Sequence, residues 1–119
     1  MGLPIERLVV ATNVNDILHR ALSAGNSSTG TLAPTAAPSM DIQVSSNFER
    51  LLFDVGGRDG GGMADQMRGF EGSRAMLLTE AQRAGAALFT SARADADDMA
   101  QAMRWACEEA GEMIDPHTA

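Results

Sequence analysis

The chain's 119 residues make one domain's worth of polypeptide, and an apolar share of 45% suffices for a core. Aromatics are only 4%, so Leu, Val, Ala and eight Met must fill that core. Sixteen acidic residues against nine basic ones give a formal charge of −7, which argues against binding nucleic acid or an anionic membrane.

Leu8-Val9-Val10-Ala11 is a short continuous apolar run, the pattern of a strand buried on both faces of a parallel sheet. Asn13 or Asn15 is placed to cap a following helix, with Asp16 in its positive first turn. Ile17, Leu18, Ala21 and Leu22 form that helix's apolar stripe, and Gly25 ends it. This is half of a βαβ unit, for which no partner strand is evident. Residues 26–38 read as a Ser/Thr/Gly/Pro/Ala connector with one extended piece around Gly30–Leu32.

A dense polar turn, Pro38 to Ser45, runs into Ser46-Asn47-Phe48-Glu49, which has the form of a capping box. Phe48, Leu51, Leu52 and Val55 give the next helix one apolar face, with Arg50 and Asp54 on the other, and Gly56-Gly57 closes it. After Gly60-Gly61-Gly62, a flexible start, Met63, Met67 and Phe70 again follow helical spacing. Thr79-Glu80-Ala81-Gln82 opens a helix toward Leu88. Asp95, Asp97 and Asp98 crowd the start of a last long helix, whose inner face is Met99, Ala102, Met103 and Ala106 and whose end is Gly111. Ile114-Asp115-Pro116-His117-Thr118-Ala119 begins another helix.

The usual catalytic groups are scarce. His19 and His117 lack metal-ligand spacing with any other His or Cys, so no metal is expected, and His19 reads as a solvated residue on a polar helix face. Cys107 cannot form an internal disulfide; it reads as a core or boundary residue and suits a reducing cytosol, so a cytoplasmic location is expected. Gly60–Gly62 lacks the spacing of a phosphate loop. No apolar run approaches the ~20 residues of a membrane span.

Polar clusters at element ends are more informative. Asn13, Asn15 and Asp16 stand where a strand delivers the chain to a helix, the place where open α/β sheets gather ligands. Ser39, Asp41, Ser45, Ser46 and Asn47 either make a turn and a cap or present hydroxyls and amides to an anionic substrate. Asp115 and His117 are either cap and surface or groups facing a cofactor.

Three segments decide between these readings. Leu-Val-Val-Ala-Thr-Asn-Val-Asn-Asp (Leu8 to Asp16), Pro38 to Phe53, and Gly-Glu-Met-Ile-Asp-Pro-His-Thr-Ala (Gly111 to Ala119) resemble segments of the threonine synthases, in that family's order. The resemblance implies a fold-type-II pyridoxal-phosphate enzyme, a carbon–oxygen lyase that turns O-phospho-L-homoserine and water into L-threonine and phosphate. It implies that Asn13, Asn15, Asp16 and Asp115 line the cofactor side of the cleft, and that Ser39, Asp41, Asn47 and Arg50 support the substrate end.

All nine basic residues are arginine, so the lysine that such an enzyme needs for its Schiff base is absent, and no catalytic residue is assigned. The expectation is therefore a middle-to-late fragment of the enzyme, with Met1-Gly2-Leu3-Pro4 leading straight into a strand and both ends cut. Its fold would be α/β: a partial domain with one buried strand and helix followed by a mostly helical section. Residues 1–119 would form a single incomplete domain, divided into a strand–helix unit (1–25), a connector with polar turn (26–44) and a helical section (45–119). Its partners would be the small-molecule substrate and the remainder of the same chain, and pyridoxal phosphate would not bind the piece stably. The alternative is a small acidic helical interaction module without catalysis.

Overall fold

The computed structural model describes residues 4–119; Met1, Gly2 and Leu3 of the expected lead-in lie outside the described residues. Strand β1 (Leu8–Thr12) pairs in parallel with β2 (Phe89–Arg93), Leu8 opposite Phe89 and Thr12 opposite Arg93. Helix α1 (Ile17–Ala24) packs on both strands. The fold is thus α/β, as expected, and it holds a strand that the residue pattern did not reveal.

Burial alternates along β1, with Leu8, Val10 and Thr12 half-buried and Val9 62% exposed. The expectation of burial on both faces is corrected: a single face of the strand pair is covered. The cap of α1 also differs. Asn13 Oδ1 accepts from the Asn15 backbone N–H at 2.8 Å, an Asx turn that bends the chain off the strand, and Asp16 holds the cap position without a side-chain cap bond. Gly25 ends α1 at φ 71°, where a side chain would be strained.

The connector is stitched to a distant segment. Ser27 donates to Met76 O and Thr29 to Arg74 O, both at 2.8 Å, while Asn26 and Leu77 form an isolated antiparallel bridge. Gly30–Leu32 belongs to no strand. One turn of 3-10 helix, Pro38–Met40, precedes α2 (Ser46–Val55). The cap of α2 is Ser45, whose Oγ accepts from Phe48 N at 3.3 Å, one residue earlier than the expected box.

Helix α3 (Gly60–Ser73) starts inside the triglycine run because Asp59 caps it through Gly62 N. The run is therefore the helix's first turn rather than a flexible lead. Helix α4 (Glu80–Gly85) has the expected reciprocal box between Thr79 and Gln82, and it ends before Leu88. Gly85 lies so close to α2 that an added Cβ would come within 2.6 Å of Val55 Cβ.

Helix α5 (Ala96–Ala110) opens on an Asp95–Asp98 capping box and closes at Gly111, φ 67°. Its inner face is the expected one, with Ala106 buried and Met99, Ala102 and Met103 half-buried. Cys107 is exposed, which corrects its reading as a core or boundary residue. The chain then makes one hydrogen-bonded turn, in which Thr118 and Ala119 N–H donate to Asp115 O at 3.0 and 3.2 Å.

Ile17, Ala21, Phe48, Leu52, Met63, Phe70, Met76 and Leu78 form one contiguous core. Leu52, only 1% exposed, is at its centre, and burying such a side chain contributes about 2 kcal/mol. Among the described residues no helix is long and apolar enough to cross a membrane.

Candidate functional site

Immediately past β1, four side chains from two segments form a polar knot. Asp41 Oδ1 accepts from Asn13 Nδ2 (2.7 Å), Asn15 Nδ2 (2.9 Å) and Thr35 Oγ1 (2.7 Å), and Asp41 Oδ2 accepts from the Thr35 backbone N–H (2.8 Å). Asn15 also clamps Ala33 from both sides, donating to its carbonyl and accepting from its N–H at 2.8 Å each. Thr35 Oγ1 in turn accepts from Ala37 N at 3.1 Å and from Asn13 Nδ2 at 3.2 Å. Asn13 and Asn15 are 7% and 4% exposed, so they could not stay there unpaired.

Desolvation acts to raise the Asp41 pKa. The donors from Thr35 side chain and backbone, Asn13 and Asn15 together outweigh it and hold the carboxyl below the ordinary carboxylate range. An ionised group with this many donors is a poor base. Its hydrogen bonds tie the loop to the strand end.

The knot borders a cleft of about 290 Å³ at the carboxyl ends of both strands, lined by Asn13, Val14, Thr35, Ala94, Asp95 and Met99 among others. This is where the two-strand sheet would present a ligand. At its far side stands the start of α5, whose Asp97 and Asp98 N–H groups already donate to Asp95 Oδ1 at 2.9 and 3.0 Å. Those donors are committed to the cap.

The other expected residues fall into separate groups. Asp16 bonds Arg20 Nε at 2.9 Å and faces Arg93 Nε at 3.7 Å. The Arg20 hydrogen bond, opposed by desolvation and aided by the charges of Arg20 and Arg93, lowers its pKa. Ser39 and Asp115 come together through His117: the Ser39 N–H donates to Nε2 at 3.4 Å, while Nδ1 lies 3.2 Å from Asp115 Oδ1. The His117 backbone N–H, opposed by desolvation and helped by the His117 and Thr118 side chains, lowers the Asp115 pKa.

Asn47 and Arg50 pair with each other at 2.8 Å on the exposed face of α2. Arg50 lines a different depression there, with Ser46, Phe53 and Met63. No hydrogen bond joins Asn47 or Arg50 to the knot among the described residues. His19, expected to be solvated, is half-buried, with Nδ1 3.0 Å from Ser91 Oγ of β2.

Sequence reasoning missed Thr35, the hub of the knot. The available signal was slight: Thr35 is the one polar side chain in Ala33-Pro34-Thr35-Ala36-Ala37. Among the described residues no group of His, Cys, Asp or Glu could hold a metal ion.

No family model matches the chain. It is 47% identical to the threonine synthase of Pseudomonas aeruginosa, across 100% of this chain and 26% of that protein. A solved structure of pyridoxal-phosphate-bound threonine synthase from Brucella melitensis superposes with a TM-score of 0.91 at 42% identity, covering 98% of this chain and 25% of that one. The threonine synthase structure from yeast gives a TM-score of 0.88 at 32% identity, over 99% of this chain and 26% of that one. These likenesses bear out the resemblance read from the three segments and lend no support to the interaction module.

Proposed function

The chain belongs to the threonine synthase family, of whose members it spans about a quarter, and from that premise we propose that it forms one wall of the substrate and cofactor cleft in a longer, cytoplasmic threonine synthase. That enzyme would convert O-phospho-L-homoserine and water to L-threonine and phosphate. The chain would be a single incomplete domain, with the remainder of the same polypeptide as its partner. The observation that carries the proposal is the Asn13–Asn15–Thr35–Asp41 knot. It sets a rigid polar rim at the carboxyl ends of parallel strands.

Pyridoxal phosphate, which the family implies, does not fit the residues of this chain alone. There is no lysine to form a Schiff base. No buried side-chain nitrogen or oxygen among the described residues lacks a hydrogen-bond partner, so no buried orphan group marks a cofactor contact. The chain's own contribution is orientation. Asn13 and Thr35 shape the rim, Asn15 and Asp41 hold that rim in place, and Asp16 anchors the start of α1 through Arg20. Asp115 closes the cofactor side. Ser39 lies beside it, while Asn47 and Arg50 support the substrate end from α2.

The test is a chimera in which these 119 residues replace the matching segment of the Pseudomonas aeruginosa threonine synthase. The expected result is release of phosphate from O-phosphohomoserine and growth of a threonine auxotroph. A folded chimera that turns over no substrate overturns the proposal. The free chain, mixed with pyridoxal phosphate and then borohydride, should show no cofactor fixed to a side chain.

A further inference from the structure

Beyond α5 the chain is organised by one carboxylate. Asp115 Oδ1 accepts from the His117 backbone N–H at 2.7 Å, Oδ2 accepts from Thr118 Oγ1 at 3.3 Å, and the Asp115 carbonyl takes the Thr118 and Ala119 N–H groups. Pro116, with no N–H to place, suits the start of such a turn. The turn holds the His117 ring between two partners. Nδ1 lies 3.2 Å from Asp115 Oδ1, and Nε2 lies 3.4 Å from the backbone nitrogen of Ser39, 78 residues away in the chain.

Those partners agree on one tautomer. Asp115 is ionised, its pKa lowered chiefly by the His117 backbone N–H, so its oxygens only accept and Nδ1 must carry the proton. Nε2 is then left with the lone pair that the Ser39 N–H requires. Ser39 needs that acceptor. In the turn Pro38–Met40, Met40 N–H donates to Ala37 O and Asp41 N–H to Pro38 O, whereas the Ser39 N–H, at the start of the turn, has no acceptor inside it. Two residues on stands Asp41, the centre of the knot. Among the described residues, the contact of His117 with Ser39 is also the one hydrogen bond that joins residues 111–119 to any part of the chain before α5.

We propose that His117 is a positioning residue of the cleft: with its proton on Nδ1, its Nε2 fixes the Pro38–Met40 turn, and through Asp41 the polar rim, against the turn at Asp115. The inference rests on the function proposed above and names what sets those two turns at a fixed spacing. His117 touches no reacting atom in this role; it acts through Ser39 and Asp41.

The experiment places His117→Leu and His117→Gln in the Pseudomonas aeruginosa chimera. Leu fills the ring's space without an acceptor, whereas Gln offers Oε1 where Nε2 stood. Hydrogen exchange at the Ser39 amide, followed by mass spectrometry of peptides that span Pro38 to Met40, should be at least about tenfold faster in His117→Leu than in the parent and in His117→Gln. The kcat/KM for O-phosphohomoserine should fall at least about tenfold in His117→Leu and return to within about threefold of the parent in His117→Gln. Parent-like exchange in a folded His117→Leu chimera overturns the contact, and parent-like kcat/KM there overturns the positioning role. Loss of either in His117→Gln means that the ring itself, not its acceptor, is what matters, and overturns the proposal as well. If His117→Leu does not fold, His117→Gln decides alone: parent-like exchange and turnover support the proposal, and loss of either overturns it. If the unsubstituted chimera folds but turns over no substrate, the functional reading falls and takes this one with it.

Discussion

Asn13, Asn15, Thr35 and Asp41 tie a loop to a strand end with a carboxylate at the centre, whereas Gln66 and Gln82 clasp α3 to α4 with two neutral amides. In the clasp, Gln82 Nε2 donates to Gln66 Oε1 at 2.7 Å and Gln66 Nε2 donates back to Gln82 Oε1 at 3.1 Å. Gln82, 5% exposed, also accepts from Thr79 N at 3.0 Å as part of its helix cap. Both clusters satisfy buried polar groups, but they restrain different things. The clasp joins α3 to α4, each of which packs on α2. The knot holds residues 30–37, which belong to no helix or strand, so its hydrogen bonds help decide where the loop lies. Fully satisfied polar networks rigidify and specify the geometry around them.

That contrast predicts unequal costs. Asn15→Ala should be the most harmful change, because it strands the Ala33 N–H and carbonyl and removes a donor from Asp41. A loss of about 3 kcal/mol is expected from urea unfolding of the chain. Gln82→Ala should cost about 2 kcal/mol, since both helices keep their packing on α2 while the clasp and half the capping box disappear. If Gln82→Ala proves the more damaging, the knot is decoration and the comparison reverses. Gly85→Ala probes the helical side without touching a polar group. Its methyl would meet Val55 at 2.6 Å, so overpacking should outweigh the gain in helix propensity by about 1 kcal/mol.

The helical side was also the more legible in sequence. Phe48, Leu52, Met63 and Phe70 repeat at helical spacing, and Thr79 with Gln82 announces a cap within four residues. Such signals are local. The adjacent serines cost one residue of accuracy, because Ser45 and Ser46 are equally able caps and the backbone chose the first. Strand β2 escaped notice because its reason for being a strand is β1, far away in the chain. Phe89-Thr90-Ser91 has no length of its own to argue with. The knot was half visible: Asn13, Asn15 and Asp41 stood out as polar residues at element ends, but nothing local said that one carboxylate joins them, or that Thr35 completes it. Asn47 and Arg50 shared the same conspicuous segment and settled on an outward helix face.

The smallest expected effect separates the clusters by chemistry. Although desolvation pushes the Asp41 carboxyl up, its donors from Thr35, Asn13 and Asn15 prevail, and its folded pKa lies below the ordinary value of 3.8. A group depressed on folding stabilises the fold above its unfolded pKa, and that stability is lost as pH falls through the folded value. Protonating Asp41 would also turn one acceptor oxygen into a donor facing donors. The Gln66–Gln82 clasp has nothing to titrate. On lowering the pH from about 5 toward about 2.5, the Thr35 and Ala33 amides should exchange hydrogen faster before those of Thr79 and Gln82 do. Asp16 and Asp115 are depressed as well, so the bonds of Asp16 to Arg20 and of Asp115 to the His117 N–H should also weaken in acid. Uniform loosening of both clusters would mean that general charge repulsion, rather than the knot, sets the acid limit. First loss at Gln82 would place the weak point among the helices.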